Sequence, residues 1–140
     1  MTSSNLERLV QGGSLKQEPG DQQEFDGLVH SGKVRLGDAH LAALSTESRF
    51  DLAYNAAHAL ALAALRWHGY RSESRYLVFQ CLPHTLGVED QVWRVLALCH
   101  DRRNRAEYEG NIDIDEQLVT DLLQAADAVQ EKVSCLGPIA

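Results

Sequence analysis

The stretch from Asp101 to Tyr108 carries the side chains of this sequence that are best suited to chemistry. Arg102, Arg103 and Arg105 are three arginines within four positions of a chain whose formal net charge is −7. Arg103 also continues an apolar stripe along one face of a predicted helix. An inward arginine has to meet a carboxylate, a phosphate or another chain. The stretch is therefore a candidate anion-binding site.

The same spacing also has a plainer interpretation. Asn104 and Tyr108 lie four residues apart and share a helix face, and so do Arg103 and Glu107. Arg103 and Glu107 can form an ordinary intrahelical ion pair, and cations near a helix C-terminus interact favourably with the helix dipole. Spacing alone leaves both interpretations open.

A second polar feature crosses a helix that is otherwise apolar. Asp51, Asn55 and His58 follow one another at steps of four and three residues, which places them in one stripe. Buried polar groups need hydrogen-bonding partners. The stripe indicates either internal hydrogen bonding or one wall of a functional cleft.

The helix that carries this stripe is the clearest element of the sequence. Ser45 or Thr46 can cap its start, and Gly69 can end it. Its apolar residues cover nearly the whole circumference, which is typical of a buried helix. We therefore expect it at the centre of the fold.

The other elements are also predicted to be helical. No sustained apolar/polar alternation and no Asn-Gly or Asp-Gly hairpin turn indicates strands. Further helices are predicted before Gly12-Gly13, from Asp21 to an interruption or end at Gly32, around Asp38 to Leu44, from a Ser72 cap to Pro83, from Val88 to Gly110, and from an Asp113/Glu116 capping box to Gly137-Pro138. The fold class is therefore all-α, an up-and-down helical bundle.

Composition narrows the class of protein. A length of 140 residues suggests one domain, and the net charge of −7 argues against binding nucleic acid through overall charge, although a local cleft can still be positive. Three cysteines without motif spacing predict reduced thiols, with Cys81 and Cys99 packed as small hydrophobes. The histidines show no clustered ligand spacing, so neither a metal nor a cofactor is predicted.

The cellular location is predicted from the same sequence. No basic start followed by an apolar core indicates a secretory signal. The longest apolar stretch, Ala56 to Leu65, is too short to span a bilayer. We expect a cytoplasmic protein that does not associate with membranes.

Two segments resemble the HEPN family of helical domains. Ser48–His58 is similar to the first motif helix of that family, and Arg103–Tyr108 is similar to its later motif helix, in the same order and at a similar separation. The resemblance covers roughly Leu44 to Val133. It implies a HEPN-like helical bundle over residues 45–137, with residues 1–44 as an N-terminal helical extension packed on it.

The resemblance also implies functions. HEPN domains usually dimerise, and in the family's ribonucleases an arginine and a histidine four to six residues later line a cleft at the dimer interface. They often act beside a nucleotidyltransferase partner in toxin–antitoxin or defence systems. Arg103, or Arg102, matches that arginine, and Asn104 matches the polar residue after it. The histidine does not carry over, because Tyr108 stands in its place, and a tyrosine with a pKa of about 10 is a poor general base.

Three hypotheses follow. The favoured one is a homodimeric module that binds RNA, a nucleotide or a nucleotidyltransferase-type partner, with binding residues Asp51, Asn55, His58, Arg102, Asn104 and Arg105. The second is a metal-independent ribonuclease toxin, in which Arg103 stabilises the developing phosphorane charge and Tyr108, or an imidazole such as His100, assists proton transfer. The third is a structural helical protein with no link to RNA.

Overall fold

A computed structural model describes residues 2–110 and 114–140, apart from the side chains of Thr2 and Ser3. The described residues form seven helices and one antiparallel pair of two-residue strands, so the predicted all-α helical fold is confirmed. The elements are α1 (Thr2–Gln11), β1 (Lys16–Gln17), α2 (Gln22–Ala39), α3 (Thr46–Trp67), β2 (Tyr70–Arg71), α4 (Arg75–Gln80), α5 (Leu82–Thr85), α6 (Asp90–Glu109) and α7 (Glu116–Ser134).

Helix α3 is the centre of the bundle, as predicted. The Ser45 hydroxyl caps it by accepting a hydrogen bond from the Ser48 backbone N–H at 3.1 Å. Its end is followed by Gly69 at φ +87°, a conformation that glycine adopts without steric cost. Helices α2 and α7 pack against it most extensively, and α4, α5 and α6 also contact it. This arrangement explains why α3 is apolar on nearly all sides.

Helix α2 corrects the prediction that Gly32 interrupts or ends a helix. The helix continues through Gly32 to Ala39. A Cβ atom at Gly32 would lie only 2.6 Å from Leu60 Cγ on α3. The glycine therefore permits close packing of the two helices, and that packing outweighs its low helix propensity.

The predicted short helix from Asp38 to Leu44 does not form. Asp38 and Ala39 belong to the last turn of α2, and the residues after His40 form turns up to the Ser45 cap. Leu41 is 54% exposed and Leu44 is 36% exposed, so neither supplies the burial that would stabilise another helix.

The first 44 residues share the main core. Leu6, Leu15, Phe25 and Leu36 lie in the same cluster of buried side chains as the apolar residues of α3. Strand β1 also pairs with β2, Lys16 opposite Arg71 and Gln17 opposite Tyr70. The pairing is too short to produce the alternating pattern from which strands are predicted.

Both predicted bounds of the helix from Ser72 to Pro83 differ from the structure. Ser74 rather than Ser72 caps α4, accepting from the Leu77 backbone N–H at 3.3 Å. Pro83 ends no helix but lies in the first turn of α5, where its missing N–H is tolerated.

The C-terminal helices complete the bundle. Helix α6 ends at Gly110, at φ +66°, as predicted. Asp115 caps α7 by accepting from the Leu118 backbone N–H at 2.8 Å. The capping box predicted at Asp113 lies outside the described residues. Among the helices of the described part of the chain, none is long and apolar enough to cross a membrane.

Candidate functional site

Polar side chains from three helices meet on one side of α3, close to the first half of that helix. We call this group the cationic cluster. Its members are Tyr54 and His58 of α3, Arg75 of α4, and His100, Arg103 and Asn104 of α6.

The Tyr54 ring is the centre of the cluster. It is fully buried, and both guanidinium groups lie against it, with Arg75 Cζ 5.5 Å and Arg103 Cζ 5.1 Å from the ring centroid. Both distances are within cation–π range. Phe50 and Phe79 pack on the same ring and fix its position. A rigid aromatic side chain therefore holds two cations near each other.

The imidazole of His100 is held at both ring nitrogens. The Tyr54 hydroxyl lies 2.8 Å from Nδ1 of His100, and the Asn104 amide nitrogen lies 3.2 Å from Nε2. A neutral imidazole donates at one ring nitrogen and accepts at the other, so it can satisfy both contacts. The two contacts thus fix the orientation of the imidazole.

The electrostatics of the cluster keep both histidines neutral. Burial, together with the nearby Arg75, His100 and Arg103, lowers the pKa of His58 to about 4. Burial and the same two arginines lower the pKa of His100 as well. Burial raises the pKa of the Tyr54 hydroxyl. The depressed histidine pKa values are typical of a desolvated site with excess positive charge.

Few anionic groups compensate the two arginines. Arg75 donates to the neutral Asn55 side-chain oxygen at 3.1 Å, and no carboxylate of the described residues lies within ion-pair distance of it. Arg103 pairs with Glu107 at 3.7 Å, as their i, i+4 spacing allows, but that carboxylate is 57% exposed, so water screens the pair. The cluster is therefore a local positive site on an acidic chain.

The structure brings together several of the predicted site residues. Arg103, Asn104 and His58 belong to the cluster, and Asn55 borders it through Arg75. Asp51 is exposed, and its backbone carbonyl accepts from the Asn55 amide at 2.9 Å. A shallow groove continues from the cluster, lined by Glu47, Phe50, Asp51, Arg103, Ala106 and Ile114.

The other predicted residues lie elsewhere. Arg105 is on the outer face of α6, 3.4 Å from Asp101 and 53% exposed. Tyr108 is 83% exposed near the end of the helix. Arg102 is half-buried, and its charge partly opposes the rise of the Cys99 thiol pKa. Arg103 reaches the cluster, whereas Arg105 faces outward.

Arg75 and Tyr54 are site residues that the sequence analysis did not predict. Arg75 stands in the first turn of α4, where a cation opposes the helix dipole. That unfavourable position was the available signal that the residue has another role. Tyr54 belongs to the apolar surface of α3 and is buried in the core, but its hydroxyl also lies within hydrogen-bonding distance of His100.

The predicted buried thiols are confirmed. Cys81 and Cys99 are buried, and burial raises their pKa values to about 11 and about 12. Both are therefore unreactive thiols at neutral pH. Within the described ranges, no group of three or more His, Cys, Asp or Glu side chains is placed to hold a metal ion.

No family model, curated protein or solved structure matches this chain. The HEPN resemblance therefore stays a prediction.

Proposed function

We propose that this protein is a HEPN-like dimeric module that binds RNA or a nucleotide through a phosphate held at the cationic cluster. One observation carries the proposal. Arg75 and Arg103 come from different helices, converge on Tyr54 and have little anionic compensation. Two fixed guanidinium groups form a site suited to the oxygens of a phosphate.

The charge of the whole chain fits this interpretation. A net charge of −7 opposes long-range attraction of nucleic acid, so binding depends on the local field of the cluster. A bound phosphate would offset the positive charge that lowers the pKa values of His58 and His100. This supports recognition of one or two phosphates rather than of a long duplex.

Binding without turnover is favoured by the state of His100. Its two ring nitrogens are engaged by Tyr54 and Asn104, so neither can accept a proton from a substrate hydroxyl while both contacts persist. Tyr108 is exposed, away from the buried Tyr54 ring against which Arg103 lies. The groups present are arranged to hold an anion.

A metal-independent ribonuclease is the second candidate, and one observation favours it. His100 lies one helical turn before Arg103, so a neutral imidazole and a guanidinium share one site. If a substrate displaced the Asn104 amide, Nε2 could accept the 2′-hydroxyl proton while Arg103 stabilised the phosphorane. Incubation of total RNA with wild type and Arg103→Ala separates the candidates, because an enzyme cleaves in the first sample only.

Dimerisation is part of the proposal. Leu98 and Tyr108 are large side chains of α6 that are 43% and 83% exposed, and a second copy would cover them. Light scattering coupled to gel filtration measures the mass directly. A nucleotidyltransferase-type partner stays a prediction from the resemblance.

The binding test is fluorescence anisotropy with a labelled single-stranded RNA at several salt concentrations. We expect Arg75→Ala and Arg103→Ala each to weaken binding and to reduce the salt slope by about 0.7 for each phosphate that the variant no longer neutralises. Arg105→Ala is the matched control, since that side chain faces outward and pairs with Asp101. Equal losses in all three variants, or no binding by folded wild type, would refute the proposal and favour a structural role.

A further inference from the structure

An aromatic pair borders the cationic cluster, and it consists of the exposed Tyr76 and the partly buried Trp93. Tyr76 of α4 is 44% exposed, and its ring packs edge-on against Trp93 of α6 at a centroid distance of 6.3 Å. The Tyr76 ring also lies beside His100, with ring centroids 6.4 Å apart. Tyr76 directly follows Arg75 in the chain. The contact with His100 therefore places the aromatic pair beside the cationic cluster.

We propose that Tyr76 and Trp93 form a stacking ledge for an unpaired base of single-stranded RNA. This inference rests on the proposed function and names its substrate class. The phosphate of the same or the adjacent nucleotide lies at Arg75 and Arg103, and the base lies on the Tyr76 ring.

The burial of the tyrosines supports this role. Tyr54 and Tyr70 are 0% and 6% exposed, so their rings are used in packing, whereas Tyr108 is 83% exposed near the end of α6. Tyr76 leaves a large part of its ring in solvent although Trp93 and His100 hold it in place. A fixed, exposed ring beside a cation is the arrangement on which proteins stack unpaired bases.

The net charge of the chain gives a second, independent reason to expect base stacking. The acidic chain cannot gain much affinity from phosphate contacts spread over its surface, because its net charge is −7. Stacking is insensitive to net charge and contributes about 1–3 kcal/mol per base, which is about 5-fold to 150-fold in affinity. The ledge would therefore supply the part of the affinity that persists at high salt.

Base pairing decides which RNA is bound. A base inside a duplex is already stacked between its neighbours and cannot cover Tyr76 without being pulled out, which costs a few kcal/mol. Every base has a flat face, so the ledge is tolerant of sequence. We expect preference for single-stranded RNA over duplex and little preference among bases.

The test compares two short labelled RNAs of equal length, one with normal bases and one with abasic sites. Wild type should bind the normal RNA about 10-fold more tightly than the abasic RNA. Tyr76→Leu should lose about that factor on the normal RNA and nothing on the abasic one, whereas Tyr76→Phe should behave as wild type. Thermal melts of both variants confirm that they are folded, and the abasic probe tests the ledge on unaltered protein.

The possible outcomes distinguish a failure of the ledge alone from a failure of the proposed function. If Arg103→Ala loses binding but Tyr76→Leu does not, and the abasic RNA binds as well as the normal one, the ledge is wrong and the phosphate site stands. If Tyr76→Leu abolishes dimerisation and leaves RNA affinity unchanged, Tyr76 is an interface residue and the ledge is wrong. If wild type binds neither RNA, the ledge and the proposed function both fail.

Discussion

Arg66 is a buried cation in the apolar helix α3, and removing it should destabilise the fold strongly. The residue is 1% exposed. Its guanidinium donates to the Glu24 carboxylate at 2.7 Å and to the backbone carbonyls of Glu18, Pro19 and Tyr70 at 2.9, 2.7 and 3.2 Å. These contacts tie the linker before α2 and the strand β2 to the central helix.

The magnitude follows from what Arg66→Met leaves behind. Four acceptors lose a donor, and breaking a buried ion pair on one side costs about 3–5 kcal/mol. Arg71 still donates to Glu24 at 2.5 Å, so we expect the lower end, about 3 kcal/mol. At about 2.1 cal/mol/K of unfolding entropy per residue, a chain of 140 residues should lose about 10 °C in Tm.

The assay is thermal unfolding followed by circular dichroism, with Arg94→Met as the matched control. Arg94 is 70% exposed and lies 3.9 Å from Asp90, so its loss should change stability by less than about 0.5 kcal/mol. Arg66→Lys should fall between the two, because an ammonium cannot reproduce the planar fork. If Arg66→Met melts within about 2 °C of Arg94→Met, the argument that this network holds the N-terminal segment is wrong.

Three further predictions concern packing and pH. Gly32→Ala should lower the free energy of unfolding, measured by denaturant titration, by about 1–3 kcal/mol. Gly37→Ala, with open space around its Cβ, should raise the free energy of unfolding by up to about 1 kcal/mol. Similar effects at both sites would contradict the close approach of α2 to α3. Because the folded pKa of His58 is depressed from 6.5 to about 4, stability present above pH 6.5 should decline by about 3 kcal/mol as pH falls to 4; His58→Asn should flatten the decline and His30→Asn should not. RNA affinity measured by anisotropy should rise below pH 6.5, because protonation of His100, whose pKa is also lowered, adds positive charge beside the phosphate; affinity independent of pH would count against that location.

Local signals in the sequence are enough to predict most helices. The Ser45 cap, Gly69 and the all-round apolar pattern predict the bounds of α3 closely, since each acts within a few residues. Gly32 wrongly suggests the end of a helix. A glycine is needed there because the backbone lies close to Leu60 on another helix, and no local sequence pattern shows that contact. The short helix around Asp38 to Leu44 is predicted from the spacing of its leucines. It does not form, because Leu41 is exposed in the fold and its burial does not stabilise a helix.

The candidate site is predictable in part for the same reason. Arg103 stands out in the sequence because a charged residue occupies a position of the apolar stripe of its own helix. Its partners Arg75 and Tyr54 come from two other helices, and only the packing of α3, α4 and α6 brings the three side chains together. Arg66 also lies in an apolar helix, but its acceptors Glu18 and Pro19 belong to a distant segment, so the sequence does not predict the network that holds it.

Nuclear magnetic resonance mapping tests the central claim most directly, since it locates a bound ligand on the folded wild-type protein. A short single-stranded RNA would be titrated into ¹⁵N-labelled protein, and backbone amide shifts would be followed residue by residue. We expect saturable shifts centred on Arg75, His100, Arg103 and Asn104, with little change near the distant Arg66 network. No shifts, or shifts confined to surfaces away from the cluster, would contradict it.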